Sequence, residues 1–532
     1  MAKSGMAICR HRVRATEASG DSLSVVGGSR FAKGSAMNAG DLSGKDAVTR
    51  PVEVRDAIVA LKSGNADGAK GVRKANSLGE RSREGTPPVV PATDTQGGED
   101  LWQRYKAERG VWSQGMLEAL ARGVKGGKWF SLIDKLYADR TLALGWQKVK
   151  SNAGSCGVDN ITVSRFAQQA EVRLLAVKEH LREARYQPQP IKRVWIPKPG
   201  SREKRPLGIP TVRDRVVQAS LRMVIEPIFE HEFAPQSYGF RPGRSCKDAL
   251  RQVDGLLKSG STYVVDVDFK GFFDSIPHDR LLARVEEHVA DGRVLGLIKD
   301  FLKVGIMEEG KHWSVEEGTP QGGVISPLLA NIYLNPLDWQ MKNRGVEMVR
   351  YADDIVILCP DLQSAQQALG DVQKWAGENG LTLHPEKTRV VDMTISGSYF
   401  DFLGYRFWKS RKGNIRRLVR PKSMRKLRQT IKPLTRRANG HSMAALTKKL
   451  TPILRGWHNY FKQADLAKLR EVDGWVRGRL RGILRKRSGL RGLSRGADHQ
   501  RWPNTYFAAL GLFCLEEAHR AELTSLRNGA TC

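Results

Sequence analysis

Residues 349–358 read Val-Arg-Tyr-Ala-Asp-Asp-Ile-Val-Ile-Leu, two largely apolar segments that flank a pair of aspartates. Short runs of β-branched and aliphatic residues on both sides of a polar turn are typical of a β-hairpin. The sequence therefore predicts strands at 349–351 and 355–358, with Asp353 and Asp354 between them. For two aspartates considered alone, a polar turn without chemistry is the alternative.

A second pair of aspartates lies upstream, where residues 263–269 read Tyr-Val-Val-Asp-Val-Asp-Phe. Because side chains alternate along a strand, Asp266 and Asp268 share one face, and the valines that flank them lie with Phe269 on the other. Carboxylates gathered from neighbouring strands repel one another unless a divalent cation lies between them. Two Mg²⁺ ions about 3.5–4 Å apart serve phosphoryl transfer from a nucleotide. The pattern favours a nucleotidyl-transferring polymerase.

The composition points to a polyanionic partner. The 532-residue chain carries 88 Lys and Arg against 56 Asp and Glu, a formal net charge of +32. Nucleic acid is the first candidate for such an excess, and a membrane surface is the alternative. No uncharged apolar run approaches the roughly 18 residues of a membrane span. The six dispersed cysteines contain no Cys-x-x-Cys pair, which fits a reducing compartment and argues against a zinc ribbon.

Four segments differ in character along the chain. Residues 1–98 are rich in Gly, Ser and charge and predict a disordered leader. Helical patterns begin in 99–190, strands alternate with helices in 191–410, and 411–532 is basic and predominantly helical. This order of elements predicts an α+β fold.

Several blocks occur in the order found in group II intron-encoded reverse transcriptases, also called maturases, and the chain resembles that family over roughly residues 100–525. The blocks are Arg205-Pro-Leu-Gly-Ile-Pro-Thr-Val-Arg-Asp-Arg215, Gln236-Ser-Tyr-Gly-Phe-Arg-Pro-Gly-Arg-Ser245, Asp268-Phe-Lys-Gly-Phe-Phe-Asp274, Thr319-Pro-Gln-Gly-Gly-Val-Ile-Ser-Pro-Leu-Leu-Ala-Asn-Ile-Tyr333, Tyr351-Ala-Asp-Asp354, His384-Pro-Glu-Lys-Thr388, Phe402-Leu-Gly-Tyr405, Leu454-Arg-Gly-Trp-His-Asn-Tyr-Phe461 and Trp502-Pro-Asn-Thr-Tyr506 with Gly511-Leu512.

The resemblance implies a right-hand polymerase with fingers, palm and thumb. Residues 99–190 would extend the fingers, 191–410 would form fingers and palm, and 411–532 would form a thumb that continues into a helical maturase domain. The implied function is an RNA-directed DNA polymerase that binds its intron RNA, assists splicing and supports intron mobility. No paired-cysteine or His-Asn-His spacing occurs near the C-terminus, so the bacterial type without an endonuclease domain is expected.

The resemblance also implies roles for individual residues. Asp268, Asp353 and Asp354 would be catalytic and would hold two Mg²⁺ ions, with the backbone carbonyl of Phe269 as a further ligand. Phe273, five residues after Asp268, would lie against the sugar and exclude a 2′-hydroxyl; an ordinary core phenylalanine is the alternative, for which Phe272 is the better candidate. The remaining nucleotide-binding residues expected are Lys204, Arg205, Arg213, Gln321 and Lys387. Arg215 is a fourth cation of the same block, and those of the four that do not hold the triphosphate would lie on template phosphate or in solvent.

Residues 411–437 contain many Arg and Lys and no acidic residue. Cations interleaved with aromatics suit structured RNA, because phosphate contacts give affinity and rings stack on unpaired bases. For Trp457, Tyr460 and Phe461, however, a place in the thumb core is the preferred interpretation. Intron RNA contact is expected at Arg416, Arg417, Arg425, Lys426, Arg428, Arg436 and Arg437.

The expected partners are group II intron RNA, an RNA template with a DNA primer or target DNA, and deoxynucleoside triphosphates, without a membrane. The expected location is the bacterial cytoplasm, in a ribonucleoprotein or associated with the nucleoid. Two alternatives remain open. One is a splicing maturase whose polymerase is idle, and the other is a reverse transcriptase of the retron or diversity-generating type.

Overall fold

The computed structural model describes residues 111–124, 127–197, 204–308, 310–314, 316–492 and 496–529, so the predicted disordered leader at 1–98 lies outside the described residues. The helices are α1 Gln114–Arg122, α2 Ile133–Leu136, α3 Asp139–Asn152, α4 Val163–Ala167, α5 Ala170–Arg182, α6 Val212–Glu232, α7 Cys246–Lys258, α8 His278–Glu286, α9 Gly292–Lys303, α10 Ser326–Asn343, α11 Leu362–Glu378, α12 Pro421–Leu434, α13 Met443–Phe461, α14 Leu466–Arg487, α15 Gly496–Arg501, α16 Asn504–Ala509 and α17 Leu515–Gly529. The strands are β1 Ile191–Pro197, β2 Lys204–Ile209, β3 Tyr263–Val267, β4 Ile306–Glu308, β5 Lys311–Trp313, β6 Glu347–Tyr351, β7 Asp354–Cys359, β8 Arg389–Asp392, β9 Tyr399–Phe402, β10 Tyr405–Lys409 and β11 Ile415–Val419.

A four-stranded antiparallel sheet in the order β6-β7-β3-β8 carries both predicted aspartate pairs. The predicted hairpin and the upstream strand are confirmed as neighbours, since Asp266 lies opposite Val356. The upstream strand is shorter than predicted and ends at Val267, after which Phe269 pairs with Leu383 as an isolated bridge. The mixture of this sheet with helices confirms the α+β class.

Alternation along β3 and β7 divides the core in two. Val265 and Val267 are buried in one cluster with the helices of the fingers and palm. Val264 and Val356 face the other way, into a second cluster that also contains the C-terminal helices. Each buried aliphatic side chain contributes about 1.5–3 kcal/mol, so the sheet is held from both sides and its strand register is fixed.

A second sheet, in the order β2-β1-β4-β5, belongs to the predicted fingers. The long helix α6 follows β2 directly and is buried along most of its length. Thr211 caps its first turn, because its hydroxyl accepts from Asp214 N at 3.1 Å. The fingers strands are thereby held at the N-terminal end of a rigid helix.

The third sheet, in the order β9-β10-β11, crosses the boundary predicted after residue 410. β11 pairs with β10 in antiparallel register, with Phe407 opposite Arg417. Phe400, Phe407 and Val419 of this sheet lie in the second core cluster together with the helices that follow. The basic segment therefore begins as a strand of a sheet shared with the preceding residues and becomes helical only at Pro421.

Arg350 of β6 and Asp338 of α10 form an ion pair that is completely buried. Arg350 Nε donates to Asp338 Oδ1 at 2.7 Å, and Nη2 donates to Asp338 Oδ2. Arg350 Nη1 donates to Asn331 Oδ1 at 2.8 Å and to the Ala352 carbonyl at 3.1 Å. Every guanidinium nitrogen therefore has a partner, which is the condition under which a buried charge is tolerated.

We predict that Arg350→Met lowers the free energy of unfolding by about 3–5 kcal/mol, because Asp338 is left buried without its counter-charge. Denaturant unfolding followed by circular dichroism measures the change. Arg344→Met is the matched control, since Arg344 pairs with Asp371 near the surface. The denaturant midpoint of this variant is expected to stay close to that of the unmodified chain. Equal losses for the two variants would contradict the importance of the buried pair.

Candidate active site

The turn between β6 and β7 consists of Ala352 and Asp353, with Tyr351 paired to Asp354 across it. Ala352 has φ +58°, a left-handed conformation that costs a non-glycine residue roughly 1–2 kcal/mol. Ala352 is buried, whereas Asp353 and Asp354 are exposed. The tight turn therefore presents two adjacent carboxylates at the edge of the sheet on a backbone that its surroundings must hold in place.

Residues 236–245, the block that sequence reasoning quoted without assigning it a role, support this turn from behind. Tyr238 N donates to the Arg350 carbonyl at 2.8 Å, and Arg350 N donates to the Gln236 carbonyl at 3.0 Å. Gly239 lies so close that a Cβ on it would overlap the backbone nitrogen of Ala352. Asn331 Nδ2 also donates to the Gly239 carbonyl at 2.8 Å. The block is a backing strap for the aspartate turn.

Asp268 lies directly after β3, on the strand next to β7. Its backbone carbonyl accepts from His384 N at 2.7 Å and from Thr388 Oγ1 at 3.3 Å. Lys387 Nζ donates to Asp268 Oδ1 at 3.0 Å. The structure therefore brings together Asp268 and Lys387, which the sequence placed in the same site but 119 residues apart.

Negative charge accumulates around the neighbouring Asp266. Burial raises the pKa of Asp266 to about 7; the Arg389 guanidinium opposes this rise, and the charges of Asp354, Asp401 and Asp268 add to it. Arg389 Nε lies 3.8 Å from Asp266 Oδ2, too far for a hydrogen bond. The region has an excess of carboxylates over cations that favours a positive ligand.

The donors available at this surface suit a divalent cation. Carboxylate oxygens from Asp268, Asp353 and Asp354 are the hard ligands that Mg²⁺ prefers. Across the part of the chain that the structure describes, no three His, Cys, Asp or Glu side chains are already gathered tightly enough to hold a metal. In this state the cation that contacts Asp268 is Lys387.

Phe272 and Phe273 form a 3-10 turn after Asp268 and divide between core and surface as the sequence suggested. Phe272 is 3% exposed and belongs to the first core cluster, whereas Phe273 is only partly buried against it. Their rings pack edge to face at 5.3 Å. Phe273 therefore keeps part of its ring accessible while its neighbour fixes the turn.

Gln321 lies in a loop that fingers and palm hold jointly. Its carbonyl accepts from Gly208 N of β2 at 2.7 Å. The buried Gln218 of α6, which sequence reasoning missed, accepts from Val324 N at 2.7 Å through its side-chain oxygen. A glutamine inside an otherwise apolar helix pattern was the available sequence signal. The loop is consequently fixed at both ends.

The four fingers cations considered from sequence differ in their surroundings. Lys204 and Arg205 are exposed at the start of β2. Arg213 donates to the Gln187 carbonyl at 2.6 Å, contacts the buried Asp214 and lies over the Tyr186 ring at 4.9 Å. Arg213 thus ties α6 to the segment after α5.

Arg215, the fourth of these cations, is also engaged with protein. Its Nη2 donates to the Ser155 carbonyl at 2.7 Å. Burial lowers the pKa of Arg215, and the charges of Asp159 and Cys156 oppose that effect. The exposed pair on β2 is accordingly better placed for a soluble anion than Arg213 or Arg215.

The cations predicted to contact RNA also divide into two groups. Arg416 Nε contacts Asp465 at 2.8 Å, Arg417 Nη1 contacts Asp254 at 3.0 Å, and Arg428 Nη2 contacts Glu471 at 2.8 Å. These partners lie outside the acid-free segment 411–437, which is why sequence alone did not show them. The remaining four are exposed, namely Arg425, Lys426, Arg436 and Arg437.

A surface cavity of about 680 Å³ borders this segment. Arg425 and Arg428 of α12 line it from one side and Lys468 and Glu471 of α14 from the other. The concentration of cations matches a phosphate-bearing ligand. The aromatic residues of α13 lie elsewhere, since Phe461 is 7% exposed and Trp457 and Tyr460 pack against the second core cluster, as expected for core residues.

Among the helices of the described residues, none has the length and apolarity needed to cross a lipid bilayer.

Comparison with known proteins identifies two families within the chain. Residues 196–407 match the family described as reverse transcriptase (RNA-dependent DNA polymerase). Residues 424–502 match the family described as group II intron, maturase-specific domain. The first match contains the aspartate turn and Asp268, and the second covers most of α12, α13 and α14.

Individual proteins are similar to parts of this chain. Protein YkfC of Escherichia coli (strain K12) is 33% identical over 295 residues, which are 48% of this chain and 76% of YkfC. Group II intron-encoded protein LtrA of Lactococcus lactis subsp. cremoris is 38% identical over 197 residues, which are 37% of this chain and 32% of LtrA. The chain thus spans three quarters of YkfC and about a third of LtrA. A solved partial Cas6-RT-Cas1–Cas2 complex is similar over 47% of this chain and 41% of the solved chain, at 22% identity and a TM-score of 0.32.

Proposed function

Because this chain belongs to the family of group II intron-encoded reverse transcriptases and maturases, we propose that it copies RNA into DNA and binds the intron RNA that encodes it. Its reverse transcriptase domain makes it an RNA-directed DNA polymerase, and its maturase-specific domain links it to intron splicing and mobility. The observation that carries the proposal is the aspartate turn, held beside the strand that leads to Asp268 in a surface rich in carboxylates.

The catalytic centre in this proposal consists of Asp268, Asp353 and Asp354. These residues would hold two Mg²⁺ ions, with the Phe269 carbonyl as an additional ligand. Such ions, when bound, supply activation of the primer 3′-hydroxyl and neutralisation of the triphosphate. Lys387, which pairs with Asp268 in this structure, is the cation that would contact the pyrophosphate as it leaves. The protein contributes position and charge rather than a covalent intermediate.

The incoming deoxynucleotide would be recognised by residues from both fingers and palm. Lys204 and Arg205 are exposed cations suited to the triphosphate, whereas Arg213 can join them only by giving up its contacts with Asp214 and Gln187. Gln321 lies in the loop that α6 and β2 hold. The accessible part of the Phe273 ring would exclude a ribose 2′-hydroxyl.

The proposed RNA-binding surface lies on the segment 411–437 and the helices next to it. Its strongest support is the exposure of Arg425 at the basic cavity, together with the exposure of Lys426 on α12 and of Arg436 and Arg437 after it. Arg416, Arg417 and Arg428 join the same surface only if their carboxylate partners are displaced or shared. An acidic neighbour lowers the affinity of a cation for phosphate, so the exposed four carry most of the contact.

Two other functions compete with this one. A maturase with an idle polymerase would need no intact aspartate turn, and the accumulated carboxylates favour an active one. A retron or diversity-generating reverse transcriptase would need no maturase-specific domain, which residues 424–502 match. We place the protein in the bacterial cytoplasm with its intron ribonucleoprotein, near the nucleoid that supplies target DNA.

We predict that Asp353→Ala and Asp354→Ala each reduce primer extension on an RNA template with Mg²⁺ by about a hundredfold or more, as expected when a group that stabilises transition-state charge is removed. Asp300→Ala is the control, because Asp300 is an exposed carboxylate on α9. Undiminished DNA synthesis by either turn variant would remove the catalytic assignment.

We predict that Phe273→Ala increases ribonucleotide incorporation relative to deoxynucleotide incorporation by at least about tenfold, since an excluded hydroxyl is worth a few kcal/mol at a tight site. The ratio of kcat/KM for dCTP and CTP opposite the same template base measures it. Phe272→Leu keeps the core filled and is the control. A ratio that does not change would place the sugar gate elsewhere.

We predict that a variant with glutamate in place of Arg425, Lys426, Arg436 and Arg437 binds intron RNA more weakly and with a smaller salt dependence of log Kd. Each lost phosphate contact lowers the slope of log Kd against log salt concentration by roughly 0.7–0.9, because fewer counterions are released on binding. Filter binding across a salt series provides both values. A matched variant with glutamate at Arg251, Lys258, Lys299 and Lys342 changes the net charge equally on other helices. Identical salt slopes for the two variants would refute this surface as the specific one.

A further inference from the structure

Residues 317–319 are hydrogen-bonded to the turn that carries Phe273 and to the residues just after it. Thr319 N donates to the Phe273 carbonyl at 2.6 Å, and Gly318 N donates to the Ile276 carbonyl at 2.8 Å. Glu317 pairs with Pro277 as an antiparallel bridge. Gln321 lies two residues after Thr319, so the turn at Phe273 and the loop at Gln321 belong to one hydrogen-bonded unit. We call this unit, residues 273–277 together with 317–321, the gate brace.

Gly318 is the point where the two segments of the gate brace approach most closely. It is buried and has φ +91°, a conformation that side chains rarely adopt. A Cβ at Gly318 would lie 2.8 Å from the Phe273 carbonyl oxygen and 2.8 Å from the Asp274 Cα. Carbon contacts are comfortable only at about 3.5–4.0 Å. A single methyl group would therefore force the turn and the loop apart.

His278 holds the same glycine from the other side. Its Nε2 lies 2.7 Å from the Gly318 carbonyl oxygen, and the residue is 4% exposed at the start of α8. A carbonyl can only accept, so Nε2 carries the proton and the ring is a donor in this contact. The carbonyl of Gly318 is fixed by His278, while its amide is fixed by Ile276. The glycine cannot shift without breaking one of these bonds.

We propose that Gly318 and His278 are positioning residues that set sugar discrimination by fixing the distance between Phe273 and the Gln321 loop. This inference rests on the proposed role of Phe273 as the sugar gate. Their contacts are with the Phe273 turn and with each other, so they would act through the phenylalanine and not on the nucleotide directly. They determine the distance between the Phe273 ring and the Gln321 loop. An increase of a few tenths of an ångström in this distance would make room for the ribose 2′-hydroxyl that the ring otherwise excludes.

The test is the ratio of kcat/KM for dCTP to kcat/KM for CTP in RNA-templated primer extension by the full chain. Gly318→Ala is expected to lower this ratio about tenfold, with the larger part of the change in the CTP value. Gly397→Ala is the matched control, because Gly397 has the same φ of +91° and nothing within 4 Å of its Cβ position. It imposes equal backbone strain without moving the gate, so its ratio is expected to stay within twofold of the original.

His278 provides a second pair of variants in case Gly318→Ala does not fold. His278→Phe keeps a ring of similar shape and removes the donor, and it is expected to lower the ratio in the same direction. His278→Gln retains an N–H near the position of Nε2 and is expected to restore the ratio at least in part. A structural role alone would leave discrimination unchanged while lowering stability in both variants.

Separate outcomes distinguish this inference from the proposed function beneath it. If Phe273→Ala collapses the ratio while Gly318→Ala and His278→Phe leave it unchanged, the gate brace does not set discrimination and the inference is wrong. If Gly397→Ala lowers the ratio as much as Gly318→Ala, backbone strain rather than the close contact is responsible, which also overturns it. If Phe273→Ala leaves the ratio unchanged, the sugar gate itself is elsewhere.

Discussion

The buried ion pair between Arg350 and Asp338 is the interaction on which the aspartate turn depends. A tight turn with Ala352 in a left-handed conformation does not hold itself. Arg350 supplies the missing constraint, because one guanidinium binds the turn carbonyl, the helix carboxylate and Asn331 at the same time. Asn331 also binds the Gly239 carbonyl, so the Arg350 guanidinium holds residues 236–245 behind the turn as well, through Asn331. The exposed aspartates owe their fixed position to groups that never reach the surface.

Local sequence pattern predicted the catalytic sheet well, because the information it needs is local. Alternation placed Val265 and Val267 of β3 on the face opposite Asp266, and the structure has these valines in the core and Asp266 half-buried. The family resemblance, rather than alternation, made Phe272 the better core candidate than Phe273, and Phe272 is the buried one. The helix Leu362–Glu378 likewise begins at a local signal, the Asp361 side chain that caps its first turn. Such features follow from periodicity and turn chemistry within a few residues.

Features that depend on distant partners could not be predicted in this way. The acid-free run at 411–437 gave no sign that Arg417 pairs with Asp254 or that Arg428 pairs with Glu471, since a salt bridge between remote segments leaves no local pattern. The contacts of residues 317–319 with the turn that carries Phe273 were not predicted for the same reason. The positions of the predicted site residues are now described, whereas their roles in catalysis and in RNA binding stay predictions until the variants are measured.

The second core cluster joins strands of the catalytic sheet to the C-terminal helices through β9–β11. The sheet beside the aspartate turn and the C-terminal helices therefore share one hydrophobic core, and neither packs independently of the other. A lineage that no longer needed DNA synthesis could discard the exposed aspartates at little cost, but it would have to keep Val264, Val356 and the strands around them to support its RNA-binding helices. Related proteins that only assist splicing are thus expected to retain the hydrophobic core of this sheet even where the exposed aspartates have been replaced.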